Sequence, residues 1–239
     1  MFLAFFWGGL AAASLLIGYA LAARGLSNRA IGMVMGFGAG ALISAIAYEL
    51  IPESVLGRGG MPLAFGLGAL TFFAGDWIID HRGGSDRTDI TGAQTGGSGA
   101  AIFIGTLLDA VPESLILGIS LALGGAVNIA FLAAVFVSNL PEGVAGSVNL
   151  KAAGYSRRNI FWMWVVLVIL SAGCAAFGYV FIGWLPAANG YHAQAFAAGA
   201  MLTMLADAMM PEAFEHGGLT VGLFTVLGFL VAAMLSIAS

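Results

Sequence analysis

The sequence predicts an all-α integral membrane protein of eight transmembrane helices, arranged as three, two and three. Three observations predict it. The 239 residues are 60% hydrophobic and only 8% charged, with a mean hydropathy of +0.99, whereas soluble domains average about 25% charged residues. The apolar runs last about twenty residues without alternating, which suits helices rather than barrel strands. Finally, a segment near residue 40 recurs near residue 200, the mark of an internal repeat.

In order along the chain, helix 1 is expected over about 2–23, since the apolar N-terminus lacks the basic stretch of a signal peptide. Helix 2 follows over about 30–56 and carries Glu49, Pro52 and Glu53 near its far end. Helix 3 takes about 61–80 and closes on Asp76, Asp80 and His81. A flexible, Gly/Ser/Thr/Asp-rich loop occupies about 82–98. Helices 4 (about 99–123) and 5 (about 126–150) form an antiparallel hairpin, followed by helix 6 (about 159–184), helix 7 (about 191–214) and helix 8 (about 219–238). The whole of 1–239 reads as one transmembrane domain.

The positive-inside rule orients the bundle. Loops 1–2, 3–4, 5–6 and 7–8 share a side and hold Arg24, Arg29, Arg82, Arg87, Lys151, Arg157 and Arg158, seven of the eight basic residues. That side is assigned to the cytoplasm, which places both termini outside it. Compact loops without targeting signals suggest a bacterial inner membrane. The single cysteine, Cys174, excludes an intramolecular disulfide.

The repeat aligns Pro52 with Pro211, Phe37 with Phe196, Ala39-Gly40-Ala41 with Ala198-Gly199-Ala200 and Glu53 with Glu212, an offset of 159. Helix 2 would run outward and helix 7 inward, so the repeat is inverted. Helices 1–3 are then mirrored by 6–8 around the hairpin. Inverted repeats with proline-interrupted helices point to secondary transporters with a midplane site.

The hairpin carries the chemistry. Asp109-Ala110-Val111-Pro112-Glu113-Ser114 lies in helix 4 and Ser138-Asn139-Leu140-Pro141-Glu142-Gly143 in helix 5. A proline inside a helix costs about 3 kcal/mol in soluble helices, and a carboxylate near the bilayer centre about 2.5–3.5 kcal/mol. Their pairing, twice, points to a polar cargo. Asp109 and Glu113 share a helix face, and Ser138 and Glu142 repeat the spacing. Pro112 and Pro141 also leave the carbonyls of Leu108 and Val137 without their amide partners. Three carboxylates and a hydroxyl make a hard, oxygen-rich site for a divalent cation. Protonated carboxyls in a structural network, or a proton-coupled carrier of another solute, are the alternatives.

These paired segments resemble the helix 4 and 5 signatures of the ZIP (Zrt/Irt-like) family of divalent metal transporters, approximately His-Asn-x-Pro-Glu-Gly. Phe196 through Leu202, with Met210-Pro211-Glu212, resembles that family's seventh helix. The resemblance implies eight helices in a three-two-three inverted repeat. It also implies metal transport into the cytoplasm, with Glu113 and Glu142 as ligands. Asp109 stands at the first histidine position of helix 4, Ser138 replaces its counterpart in helix 5, and Asn139 keeps the second position. Ala110 loses it, and helix 6 lacks the acidic residue some relatives use, so one metal per site is expected. Zinc is the default by family. With no imidazole at the site, Mn²⁺, Fe²⁺ or Mg²⁺ stays open.

Glu49 and Glu53 could line an entrance, and Asp207, Glu212 and His216 an exit, with Asp80 and His81 a further candidate pair; Asp207 is the strongest of these. His192 and the methionines of helix 7 read as interfacial and packing residues. No organic cofactor and no nucleic-acid partner are implied; a homodimer stays open. An intramembrane enzyme is disfavoured, because there is no His-Glu-x-x-His segment and no nucleophile beside a base.

Overall fold

The computed structural model describes residues 1–51, 59–84, 99–184 and 187–238. Among them the chain is helical throughout and without strands. Eight helices are long and apolar enough to cross a membrane: α1 Phe2–Ala22, α2 Asn28–Leu50, α3 Met61–Arg82, α4 Gly99–Gly124, α5 Ile129–Ala152, α6 Arg157–Trp184, α7 Gly190–Gly217 and α8 Thr220–Ala238. Pro52, Glu53, Arg58 and Arg87, and the 82–98 loop from residue 85 onward, lie outside the described residues.

Two boundaries differ from the sequence reading. Helix 5 begins at Ile129 rather than 126, because Asn128 caps it: its Oδ1 accepts the Phe131 amide at 2.8 Å. Helix 2, expected to about 56, loses regular α geometry before Pro52. It widens into a π-helical turn over Ile46–Leu50, and Ile51 leaves helical geometry at φ −132°, ψ 59°. The matching turn in α7 is Leu205–Met209. Each turn lies at the same repeat offset of 159 and ends two residues before a proline, Pro52 or Pro211. A proline lacks the amide that the carbonyl four residues back needs, and its ring crowds that carbonyl. A widened turn relieves both effects at Pro211.

The packing obeys one pseudo-two-fold operation that exchanges α1 with α6, α2 with α7, α3 with α8 and α4 with α5. The α2–α8 contact has its counterpart in α3–α7, α1–α5 in α4–α6, and α2–α5 in α4–α7. Lipid tails are as apolar as the helices, so close van der Waals approach through small residues drives association; several glycines inside the helices serve that approach. Their contacts repeat under the operation. A β-carbon at Gly40 would overlap the carbonyl of Thr225, and one at Gly199 that of Phe65. Gly228 lies against Phe37 as Gly68 lies against Phe196. On the hairpin, Gly143 abuts Leu15 and Gly118 abuts Ala175, while Gly18 meets Leu140 and Gly178 meets Leu115. The hairpin thus sits between α1 and α6, and the α2–α8 and α3–α7 pairs flank it. The inverted repeat extends to all eight helices, well beyond the segment legible in helices 2 and 7.

Candidate metal site

The hairpin glycines fix which residues exchange within it. Gly118 pairs with Gly143 and Leu115 with Leu140, a shift of 25 residues. By that shift Glu113 pairs with Ser138, and the two side chains meet: Ser138 Oγ donates to Glu113 Oε1 at 3.3 Å. Glu113 therefore sits at the pseudo-two-fold axis, in the middle of the bundle. Its other oxygen accepts from Asn139 Nδ2 at 3.2 Å. Ser138 also contacts the Val135 carbonyl, at 2.9 Å. Glu113, Ser138 and Asn139 are all at most 2% exposed.

A carboxylate buried this deeply is held by two neutral donors, and no cationic side chain among the described residues pairs with it. Asn139 uses its amide nitrogen on Glu113, while its Oδ1 is buried without a hydrogen-bond partner among the described residues. An acceptor left in that state normally has an explanation, an ion or a water among them. The carboxyl oxygens of Glu113 and the open oxygen of Asn139 belong to adjoining groups. Together they suit a cation better than an anion.

Asp109 and Glu142 are also buried. Each lies four residues from the axis pair, about 6 Å along the helix. α4 runs away from the end bearing Arg82 and Lys151, and α5 runs toward it. Both carboxylates therefore fall on that same side of Glu113. Asp109 lies within electrostatic reach of Glu113. Among the described residues, no three His, Cys, Asp or Glu side chains are close enough to hold one ion. In this conformation the close set is Glu113, Ser138 and Asn139, with Asp109 and Glu142 one turn away.

At the end where α2 finishes, Glu49 lines a cavity of about 440 Å³ with Ser120, Asn128, Tyr191, Gln194 and Ser236. Its carboxylate accepts from Asn128 Nδ2 and Ser236 Oγ, and Gln194 Nε2 donates to its main-chain carbonyl at 3.3 Å. Asn128, Gln194 and Ser236 were not legible as a group, since a turn and two separate helices bring them to Glu49. At the opposite end, Asp207 in the π turn of α7 is exposed and lies within electrostatic reach of Asp76 in α3. Asp76 is 7% exposed and was named in the sequence only as one of the acidic residues on which helix 3 closes. The fold's operation carries Ser236 onto Asp76, and Asp207 onto the residue next to Glu49. The two polar clusters thus occupy equivalent places at opposite ends.

The remaining candidates divide. Glu212 and His216 meet, Oε1 to Nδ1 at 3.1 Å. His81 donates Nδ1–H to the Trp77 carbonyl at 2.8 Å and its ring lies 4.1 Å from that indole, which ties it to its own helix. Asp80 begins the last, π-helical turn of α3. His192 donates to the Gly59 carbonyl at 3.2 Å and pins α7 to the segment before α3.

Over 195 residues the chain is 28% identical to a protein of Arabidopsis thaliana described as a "putative zinc transporter". The match covers 77% of this chain, which spans 30% of that relative's length. No protein-family model matches the chain.

Proposed function

We propose that this chain carries divalent metal cations across a membrane, into the cytoplasm, through the hairpin of α4 and α5. One observation carries the reading. A carboxylate, Glu113, lies buried at the axis of an inverted repeat, held by two neutral donors, with the acceptor oxygen of Asn139 beside it. Burying a lone charge is costly, and a divalent cation offsets that cost. Asp109 and Glu142 extend the oxygen ligands toward the basic end of the bundle. The likeness to a plant protein described as a zinc transporter supports metal as cargo. Zinc is the first expectation, and an oxygen-only ligand set also suits Mn²⁺, Fe²⁺ or Mg²⁺. One ion per site is proposed.

The polar clusters at Glu49 and at Asp207 with Asp76 serve as entrance and exit. Their equivalence under the two-fold operation supports alternating access between the two ends. Seven of the eight basic residues on one side support a cytoplasmic assignment for that side, with both termini opposite. A bacterial inner membrane is the setting proposed.

The test is reconstitution in liposomes, following Zn²⁺, Mn²⁺, Fe²⁺ and Mg²⁺ uptake by wild type, Glu113→Ala and Glu142→Ala. Uptake above empty vesicles in the wild type, and its loss in both variants, is expected. If no ion enters faster than in empty vesicles, the protein binds metal without carrying it, or carries another solute. If both variants match wild type, the hairpin is not the route.

A further inference from the structure

A second cavity, of about 390 Å³, lies where α1 and α5 end and α6 begins, and the transport reading makes no use of it. Lys151, Arg157, Tyr19 and Ser147 supply its polar lining, and an apolar wall includes Val148 and Ile160. Among the described residues neither Lys151 nor Arg157 has a carboxylate partner, and no carboxylate lines the cavity. Its size falls within the range of about 300–1,000 Å³ that small-molecule sites occupy.

The nearby acceptors are already engaged. The carbonyls of Asn149, Leu150 and Lys151 accept the amides of Ala153, Tyr155 and Gly154 at 2.9, 3.0 and 3.1 Å. Tyr19 donates its hydroxyl proton to the Arg157 carbonyl at 3.1 Å. Ser147 Oγ donates to the Gly143 carbonyl at 2.5 Å and accepts from Trp164 Nε1 at 2.8 Å. What remains for a ligand is two cationic groups above an apolar wall, the complement of an amphiphilic anion. Its place at the ends of membrane-spanning helices is where phospholipid headgroups lie.

We propose that this cavity binds an anionic phospholipid, its phosphate between Lys151 and Arg157 and its glycerol and upper acyl carbons along Val148 and Ile160. The apolar wall selects a lipid over free phosphate. The bound lipid would steady the end of α5, because Ser147 in the lining holds the carbonyl of Gly143, next to Glu142.

The experiment is native mass spectrometry of the delipidated full chain, titrated with phosphatidylglycerol or phosphatidylcholine, without metal. The two cations predict an about 30-fold preference for phosphatidylglycerol. The preference should vanish in Lys151→Gln/Arg157→Gln and survive in Arg24→Gln/Arg29→Gln, which removes two charges outside the cavity. Should the first variant unfold, Val148→Trp decides, since it fills the cavity and keeps both charges; it should abolish the preference too. Equal loss in both charge variants, or retention in Val148→Trp, would mean diffuse surface charge and overturn the proposal. Displacement of the lipid by millimolar inorganic phosphate would overturn it in favour of a soluble anion.

Discussion

Replacing Asn139 by aspartate separates a metal ligand from a structural polar group. The Asn139 amide donates to Glu113 Oε2 at 3.2 Å. An aspartate in the same rotamer would set two carboxylates at that separation. At an effective dielectric constant of about 20 their repulsion is about 5 kcal/mol. Protonating one of them caps the penalty at pH 7 near 4 kcal/mol, the cost of neutralising an ordinary aspartate of pKa about 3.9. For a chain of this length a loss at that cap lowers Tm by roughly 8–16 °C, which is the upper limit of the effect. A divalent ion between the two carboxylates removes the repulsion. At 100 times Kd the wild type gains about 2.7 kcal/mol from metal, and Asn139→Asp should gain several kcal/mol more. The assay is thermal unfolding in detergent with and without Zn²⁺ or Mn²⁺. The expected pattern is a lower Tm without metal and a larger metal-induced rise than in wild type. If metal raises the variant's Tm no more than the wild type's, Asn139 does not face the ion, and the central site is wrongly placed.

Two further perturbations probe selectivity and packing. Asp109→His supplies the imidazole that zinc favours, so the ratio of Zn²⁺ to Mn²⁺ uptake should rise about tenfold; an unchanged ratio in liposome assays removes Asp109 from the ligand set. Gly118→Ala would drive a methyl into the Ala175 carbonyl, a backbone atom that cannot swing aside. Overpacking of this kind costs about 1–3 kcal/mol, so Tm should drop by roughly 2–12 °C. Gly173→Ala, with nothing within 4 Å of its new methyl, should hold Tm or raise it slightly through helix propensity, and an equal drop at the two positions would refute the helix-approach argument.

The helix count was legible because long apolar runs admit few readings, and the burial of Glu113 was legible because a Pro-Glu pair inside a long apolar run has no lipid-facing place. The end of α2 was not, since Glu49 and Pro52 look like a helix continuing while the backbone has already widened. Nor was the role of Ser138. In the sequence it was a hydroxyl standing in for an expected ligand, whereas in the fold it hydrogen-bonds Glu113 on the axis. The cluster around Glu49 escaped the sequence for a third reason: Asn128, Gln194 and Ser236 are ordinary polar residues until distant turns and helices bring them together.

The two repeats in the hairpin disagree by one helical turn, and the disagreement has a functional consequence. The Pro-Glu segments align Glu113 with Glu142, an offset of 29, whereas the packing glycines align Glu113 with Ser138, an offset of 25. Under the packing operation the counterparts of Asp109 and Glu142 are Ala134 and Leu117, both buried and apolar. The scaffold is therefore symmetric while its ligands are not. From Glu113 toward the basic end, the next turn offers two carboxylates; toward the Glu49 end, it offers only Ala134 and Leu117. On the proposed route a cation at the axis finds its next oxygen ligands on the inward side alone. On that reading the two half-paths differ chemically although the scaffold that presents them is symmetric.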